Sequence, residues 1–249
     1  MEKPLEKIVD GYSNTAIFRT IAFIGDSLSS GEFEVSDKDG NMGYYDMFEY
    51  SWGQFIARKN GAFAYNFSRG GMTAKEYIES FAEERNFWDK DKACQAYVIA
   101  LGVNDLLNTN TELGTVEDID VENYKNNKDN FAGNYARIIS RYKEINPYAK
   151  FFLVGFPKSD EEKNNIAAER LNKLLTDFTK VFDNTYLINL YEYGVCYDND
   201  FKSRYFLNGH MDPMGYNYTA QIIDSYIDYI IRNNPDDFKY VGFDSLKIK

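Results

Sequence analysis

Histidine is almost absent from this sequence: a single one, His210, occurs among 249 residues. Basic residues are also outnumbered, with 28 Lys and Arg against 39 Asp and Glu, which gives a formal net charge of −11. Nucleic acids and anionic membranes are bound through clusters of Lys and Arg, and no such cluster stands out here. We therefore expect neither a nucleic-acid partner nor a membrane partner.

Cysteines and long apolar runs are scarce as well. The two cysteines, Cys94 and Cys196, fit no metal or redox spacing and are too few for a disulfide framework. Residues 1–7 lack the apolar run of a secretory signal, and the longest apolar stretches are strand-sized, too short to cross a bilayer. We expect two buried free thiols in a cytoplasmic protein. A secreted protein that has lost its signal is the alternative.

Strand-like and helix-like runs alternate along the chain, with no repeat or linker between them. This pattern favours an α/β fold with a parallel sheet and helices on both faces. We expect one domain over 1–249, with its core at about 18–233 and a tail at 234–249. The predicted strands cover 20–25, 62–67, 96–101, 150–155 and 185–190; the predicted helices cover 47–59, about 73–84, about 127–145 and about 161–181, and one more follows Pro213.

The tail is aromatic, and its role stays open. It contains Phe238, Tyr240, Val241 and Phe243, which could pack on the domain or on a partner subunit. The oligomeric state stays open for the same reason.

Three short polar loops follow the first three predicted strands directly. They are Gly25–Ser27, Ser68–Gly71 and Gly102–Asp105. In a parallel sheet the carboxyl ends of the strands meet at one edge, where ligands bind. We therefore expect these loops to lie together.

Four segments resemble the ordered blocks of the SGNH hydrolases, also called the GDSL esterase/lipase family. They occur in family order across residues 20–225. The resemblance implies a flavodoxin-like three-layer α/β/α sandwich around a five-stranded parallel sheet. The segments are Gly25-Asp26-Ser27-Leu28, Gly70-Gly71-Met72-Thr73, Gly102-Val103-Asn104-Asp105, and His210 followed by Pro213 and Gly215-Tyr216.

The resemblance also implies roles. Ser27 would attack an acyl carbonyl after His210 removes its proton, and water would then hydrolyse the acyl-enzyme. The backbone N–H groups of Ser27 and Gly71 and the amide of Asn104 would form the oxyanion hole, where one donor is typically worth ~2.7–4 kcal/mol. Neither a cofactor nor a metal is expected.

One position departs from the family pattern. Family members commonly carry an aspartate three residues before the histidine, and this chain has Leu207 there. Either a backbone carbonyl holds His210 in a Ser–His dyad, or a carboxylate comes from elsewhere. Asp198, Asp200 and Asp212 are near in sequence but do not fit the spacing. We favour the dyad.

Residues 32–51 form an insertion after Ser27 that is rich in aromatic and acidic residues. It is placed to form one wall of a substrate cleft. Within it, Asp37–Asn41 is interpreted as a hairpin turn, because Gly40 is misplaced for a calcium-binding EF-hand loop. The aromatic residues are Phe33, Tyr44, Tyr45, Phe48 and Tyr50, with Trp52 next to them.

The expected substrate is a small ester. A tyrosine-rich acidic rim suits a neutral acetylated sugar, and no sequence feature predicts the extended groove that a long acyl chain needs. Our leading hypothesis is a short-chain serine esterase, an acetylesterase acting on an oligosaccharide or glycoside. The alternatives are a lysophospholipase or thioesterase, and a sugar-binding protein on a hydrolase scaffold, which the missing aspartate suggests.

Overall fold

A five-stranded parallel sheet forms the centre of the protein in a computed structural model, which describes residues 2–241. The strand order is β4-β1-β5-β6-β7. The fold predicted from the alternating pattern is therefore confirmed. The strands of this sheet are β1 (Thr20–Gly25), β4 (Phe63–Ser68), β5 (Ala96–Ala100), β6 (Lys150–Gly155) and β7 (Thr185–Asn189).

Helices cover both faces of the sheet. Side chains of α3 to α6 pack on one face, and those of α2 and α9 pack on the other. Because strand side chains alternate between faces, Ala22 belongs to the first layer and Phe23 to the second. The α-helices are α1 (Ser27–Ser30), α2 (Trp52–Asn60), α3 (Ala74–Glu76), α4 (Ala82–Glu84), α5 (Phe131–Ile145), α6 (Glu162–Val181), α7 (Leu190–Tyr193), α8 (Asn199–Tyr205), α9 (Pro213–Asn233) and α10 (Pro235–Phe238).

Shorter helical segments complete the chain. A π-helical segment joins α3 to α4, and a second one follows β5 at Asn104–Asn108. The first is Tyr77–Phe81, and the 3-10 segments are Asn14–Ile17, Phe48–Tyr50, Lys90–Lys92, Val116–Asp118 and Tyr124–Asn126.

Local sequence signals predict some of the helix ends correctly. Thr73 caps α3 by accepting from the N–H of Glu76, as predicted, and Gly61 ends α2 in the left-handed region. The prediction of one helix over 47–59 is wrong at its start. Ser51 is the N-cap of α2, and its hydroxyl accepts from the N–H of Gln54, so the helix begins only at Trp52.

Two small antiparallel hairpins lie outside the central sheet. Strands β2 (Glu32–Ser36) and β3 (Met42–Asp46) form the first, and its turn places the Asp37 carboxylate on the N–H groups of Asp39 and Asn41. The predicted hairpin turn is thus confirmed. Strands β8 (Phe206–Leu207) and β9 (His210–Met211) form the second hairpin.

The order of the strands creates a switch point next to β1. The chain passes from β1 to β4 on one side and then crosses to β5 on the other. Register places Gly25 beside both Ser68 and Ala100. The three polar loops predicted to meet therefore leave the same edge of the sheet, which is where ligands bind in open α/β sheets.

The tail packs on the domain as far as residue 241. Phe238 is buried against Phe152, and the Val241 carbonyl accepts a hydrogen bond from Gln95. Tyr240 is exposed, and Phe243 lies outside the described residues.

Cys94 is a buried free thiol, but Cys196 is exposed, so the expectation of two buried thiols is wrong for Cys196. Between residues 2 and 241, none of the helices combines the length and the apolar character needed to cross a bilayer.

Candidate active site

Ser27 is the first residue of α1, directly beyond the end of β1. The Asp26 side chain caps this short helix by accepting from the N–H of Leu28. Gly31 ends it in the left-handed region, at φ 75°. The turn from strand to helix therefore presents Ser27, half-buried, at the switch point beside β5.

Asn104 connects the loops that follow three strands. Its side-chain nitrogen donates to the Met72 carbonyl at 3.2 Å and lies 3.5 Å from an Asp26 carboxylate oxygen. Asn108, on the next turn of the π-helical segment, donates to the Asn104 side-chain oxygen at 2.7 Å. This bond fixes the amide so that its nitrogen points towards the loops after β1 and β4.

Asp105 fixes the position of the loop between β4 and α3. Its carboxylate accepts from the backbone N–H of Ala74 at 3.0 Å, at the start of α3. Burial raises the pKa of Asp105 to about 6, and the hydrogen bond from Ala74 opposes that rise. The side chain thereby sets the position of the Gly70-Gly71 turn relative to Asn104.

Glycine is required at the two positions of that turn for different structural reasons. Gly71 has φ 72°, which disfavours residues with a side chain. Gly70 is closely approached: a Cβ there would lie 2.2 Å from a carboxylate oxygen of Glu32. Within residues 2–241, the backbone N–H groups of Ser27 and Gly71 have no hydrogen-bond acceptor, so both can donate to a ligand.

His210 lies on β9, after a turn at Asn208-Gly209. Its Nδ1 is hydrogen-bonded to a Glu34 carboxylate oxygen at 3.1 Å, and the same oxygen accepts from the Gly209 N–H at 2.8 Å. An oxygen of Glu32 lies 3.1 Å from Nε2. The expected Ser–His dyad is therefore wrong, because whichever ring nitrogen faces away from Ser27 has a carboxylate beside it.

The three aspartates near His210 in sequence have other partners. Asp212 caps α9 through the N–H of Gly215, and Asp198 caps α8 through the N–H of Phe201. Asp200 pairs with Arg204. Local helix capping and pairing engage all three, so the carboxylates on His210 come from the first hairpin instead.

The sequence did carry a signal for these glutamates, although we did not single them out. Glu32, Phe33 and Glu34 alternate as a strand does, which places the two carboxylates on one face and the buried Phe33 ring on the other. The pattern does not indicate that this face contacts His210. The Tyr216 hydroxyl, which donates to the Glu32 carbonyl at 2.6 Å, fixes the strand beside β9.

The same hairpin is tied to the nucleophile loop. The Met47 N–H donates to the Gly31 carbonyl, and the Ser30 hydroxyl is bonded to Asp46. On β3, the ring of Tyr44 stands edge-on to His210 with centroids 6.1 Å apart. The insertion therefore lies beside the predicted catalytic histidine and supplies both acids and an aromatic side chain.

Ser27 and His210 are brought to the same side of the molecule, because α1 lies against β9. No hydrogen bond joins the two side chains in the part of the chain that the structure describes. Burial is the main cause that raises the pKa of Asp26 to about 6, and the charge of His210 opposes that rise. Burial also raises the pKa of Glu32.

An apolar cavity of about 70 Å³ adjoins these loops. It is bounded by the chain neighbours of the predicted catalytic residues. Asp26 and Leu28 flank Ser27, Val103 precedes Asn104, and Met211 follows His210. Trp52, Val154 and Phe156 close it from the sheet and helix side.

Comparisons with known proteins identify the family and the fold. The family model described as GDSL-like Lipase/Acylhydrolase matches residues 21–236. No curated protein matches the sequence.

Three solved structures of carbohydrate esterases share the fold. A family two carbohydrate esterase from Clostridium thermocellum, in complex with cellohexaose, is 17% identical with a TM-score of 0.59, covering 92% of this chain and 67% of that one. A family 3 carbohydrate esterase from the same organism is 16% identical with a TM-score of 0.55, covering 86% and 97%. A Corynascus thermopiles (Myceliophthora fergusii) family 2 enzyme with a carbohydrate binding domain is 16% identical with a TM-score of 0.57, covering 88% and 67%.

Proposed function

Because the chain belongs to the GDSL-like lipase/acylhydrolase family, we propose that it is a serine esterase that cleaves short-chain, acetyl-type esters of carbohydrates. The observation that carries this proposal is the pairing of His210 with Glu34, on the same side of the molecule as Ser27. A nucleophile, a base and an orienting acid define this chemistry by their geometry, whatever their order in the chain.

The proposed reaction has two steps. The Ser27 hydroxyl attacks the ester carbonyl while His210 takes its proton, and the alcohol leaves with that proton. Water then attacks the acyl-enzyme with the same base. The N–H groups of Ser27 and Gly71, which are free of other acceptors between residues 2 and 241, would stabilise the oxyanion. The Asn104 amide would join them by exchanging its 3.5 Å contact with Asp26 for the substrate oxygen.

Glu34 would orient the imidazole and stabilise its charged form. Its carboxylate is itself held by the Gly209 N–H, so it has the fixed geometry that an orienting acid needs. The alternative of a non-catalytic sugar-binding protein rests on the lack of an aspartate three residues before His210. Glu34 removes that reason.

The cavity supports a short acyl chain. It adjoins the loops that carry Ser27, Asn104 and His210, although these three side chains do not line it. A cavity of about 70 Å³ has room for a small group such as acetyl. The lining is apolar, as an acyl chain requires.

A carbohydrate is the proposed alcohol part for two reasons. The exposed ring of Tyr44 beside His210 offers a face on which a sugar ring can stack. Several chains of the same fold are carbohydrate esterases by description, which makes such substrates the first to test.

The test is turnover of p-nitrophenyl acetate, butyrate and octanoate by the wild type, Ser27→Ala and His210→Ala. We expect acetate and butyrate turnover that both substitutions abolish, and little octanoate turnover. Faster hydrolysis of octanoate than of acetate would favour the lysophospholipase or thioesterase alternative. Equal rates in wild type and both variants would contradict an esterase centred on Ser27.

A further inference from the structure

The two glutamates beside His210 differ in the hydrogen bonds that their carboxylates accept. Glu34 has hydrogen-bond geometry to Nδ1 and also accepts from the Gly209 N–H. One oxygen of Glu32 lies 3.1 Å from Nε2, the same distance as Glu34 from Nδ1, but without hydrogen-bond geometry. Within residues 2–241, no hydrogen bond to its carboxylate is formed. Glu32 therefore has acceptor capacity that the folded chain leaves unused.

Glu32 is also enclosed. Its side chain is only 14% exposed. Burial raises its pKa, the charge of His210 opposes that rise, and Asp46 and Glu34 add to it. A carboxylate removed from water needs a hydrogen-bond donor. The second oxygen of Glu32 accepts no hydrogen bond within residues 2–241, so a bound ligand can supply the donor.

The position of Glu32 identifies which part of a substrate it would meet. One oxygen lies 3.1 Å from Nε2, and the other lies over Gly70, close to the position that a Cβ there would take. In acyl transfer the leaving oxygen must be near the base that protonates it, and the acyl oxygen lies at the oxyanion donors. Glu32 thus lies where the alcohol part of an ester leaves the site.

We propose that Glu32 determines specificity for the alcohol part by accepting a hydrogen bond from a hydroxyl on the carbon adjacent to the one that bears the ester oxygen. The preferred substrates are then monoesters of neutral polyols, such as sugars. Alcohols that carry an anion are disfavoured, because Glu32 has two further carboxylates near it, those of Glu34 and Asp46. This inference rests on the proposed esterase function and deepens it.

A matched pair of esters tests the proposal directly. 2-Hydroxyethyl acetate carries the neighbouring hydroxyl, and 2-methoxyethyl acetate has the same chain without the donor. We expect wild-type kcat/KM to favour the hydroxy ester by about tenfold, the value of one hydrogen bond to a charged group. In Glu32→Ala the ratio should fall to about one.

Two further variants separate specificity from catalysis. Glu34→Ala should slow both esters by a similar factor and keep most of the ratio, because the Glu34 carboxylate is bonded to His210 and Gly209 and is not the proposed acceptor of the alcohol hydroxyl. Gly70→Ala should lower the ratio without removing the carboxylate, since its methyl group displaces the end of the Glu32 side chain. A ratio that Glu32→Ala leaves at the wild-type value would overturn the proposal.

Binding gives a readout that does not depend on turnover. His210 is the only histidine, so the ring signals of histidine-labelled protein report on this site alone in NMR. Methyl xylopyranoside should shift them saturably in the wild type and much less in Glu32→Ala. If this difference holds while neither ester is hydrolysed, the proposed esterase function fails and Glu32 keeps its role. If both proteins respond alike to the sugar, the role of Glu32 fails.

Discussion

The Glu34 carboxylate lies 3.1 Å from Nδ1 of His210, although 176 positions separate the two residues in the chain. The contact depends on two hairpins that meet, since Glu34 is on β2 and His210 on β9. It supplies the acid that the segment before His210 lacks.

Removing the charge of Glu34 should slow catalysis. We expect Glu34→Gln to lower kcat for p-nitrophenyl acetate by about 100-fold with little change in KM, because the imidazole loses charge stabilisation in the transition state only. Steady-state kinetics measure both constants. Glu84→Gln on α4, an exposed change away from the site, is the control. Unchanged kcat in Glu34→Gln would mean that another group orients His210.

Asn108 should act only through Asn104. Its side chain donates to the Asn104 oxygen, so Asn108→Ala leaves the amide free to rotate, and we expect kcat to fall about tenfold. Asn104→Ala should cost roughly 100–1000-fold, as expected for an oxyanion donor. The double variant should match Asn104→Ala, since the two effects share one amide. Additive losses would show that Asn108 has a separate role.

Asp26 should make the protein less stable as the pH rises towards neutrality. Burial raises its pKa to about 6 from an ordinary 3.8, so the folded state binds the proton more tightly than the unfolded state does. The stability from this group is present below about pH 4 and is lost as the pH rises through 6.

Asp26→Asn cannot ionise and can still cap α1. The free energy of unfolding of Asp26→Asn, relative to that of the wild type, should therefore be about 2 kcal/mol higher at pH 7 than at pH 4. Urea denaturation at several pH values measures this difference. Asp37→Asn is the opposite control, because hydrogen bonds from Asn41 lower the pKa of Asp37. A pH-independent difference for Asp26→Asn would contradict the account.

Tyr44 should contribute to sugar binding, and its neighbour should not. The two tyrosines of β3 are similarly exposed, at 59% for Tyr44 and 57% for Tyr45, but adjacent strand residues point to opposite faces. Only Tyr44 stands against His210.

We expect Tyr44→Ala to raise KM for an acetylated xylo-oligosaccharide several-fold, about the value of one aromatic contact. Tyr45→Ala should leave KM near the wild-type value. Acetate release measured by initial rates decides between them. Equal effects of the two substitutions would show that both destabilise the hairpin and that neither removes a contact with the sugar.

Much of the fold could be predicted because its signals are local. The apolar run at 96–101 predicts a buried parallel strand, and β5 occupies 96–100. Boundaries differ where two local signals compete. The predicted helix begins at about Asn127, but Asn130 caps it, since either side chain can accept from a helix N-terminus.

The sequence by itself determined the α/β fold, the family and the convergence of the loops after the first three strands, because these follow from hydrophobic periodicity and from short motifs. Only the tertiary structure decided which carboxylates meet His210. Glu32 and Glu34 reach it through the packing of two hairpins far apart in sequence, and no local spacing encodes such a contact. Asp198 and Asp212 instead cap α8 and α9, because their carboxylates lie next to backbone N–H groups that have no partner within the helix.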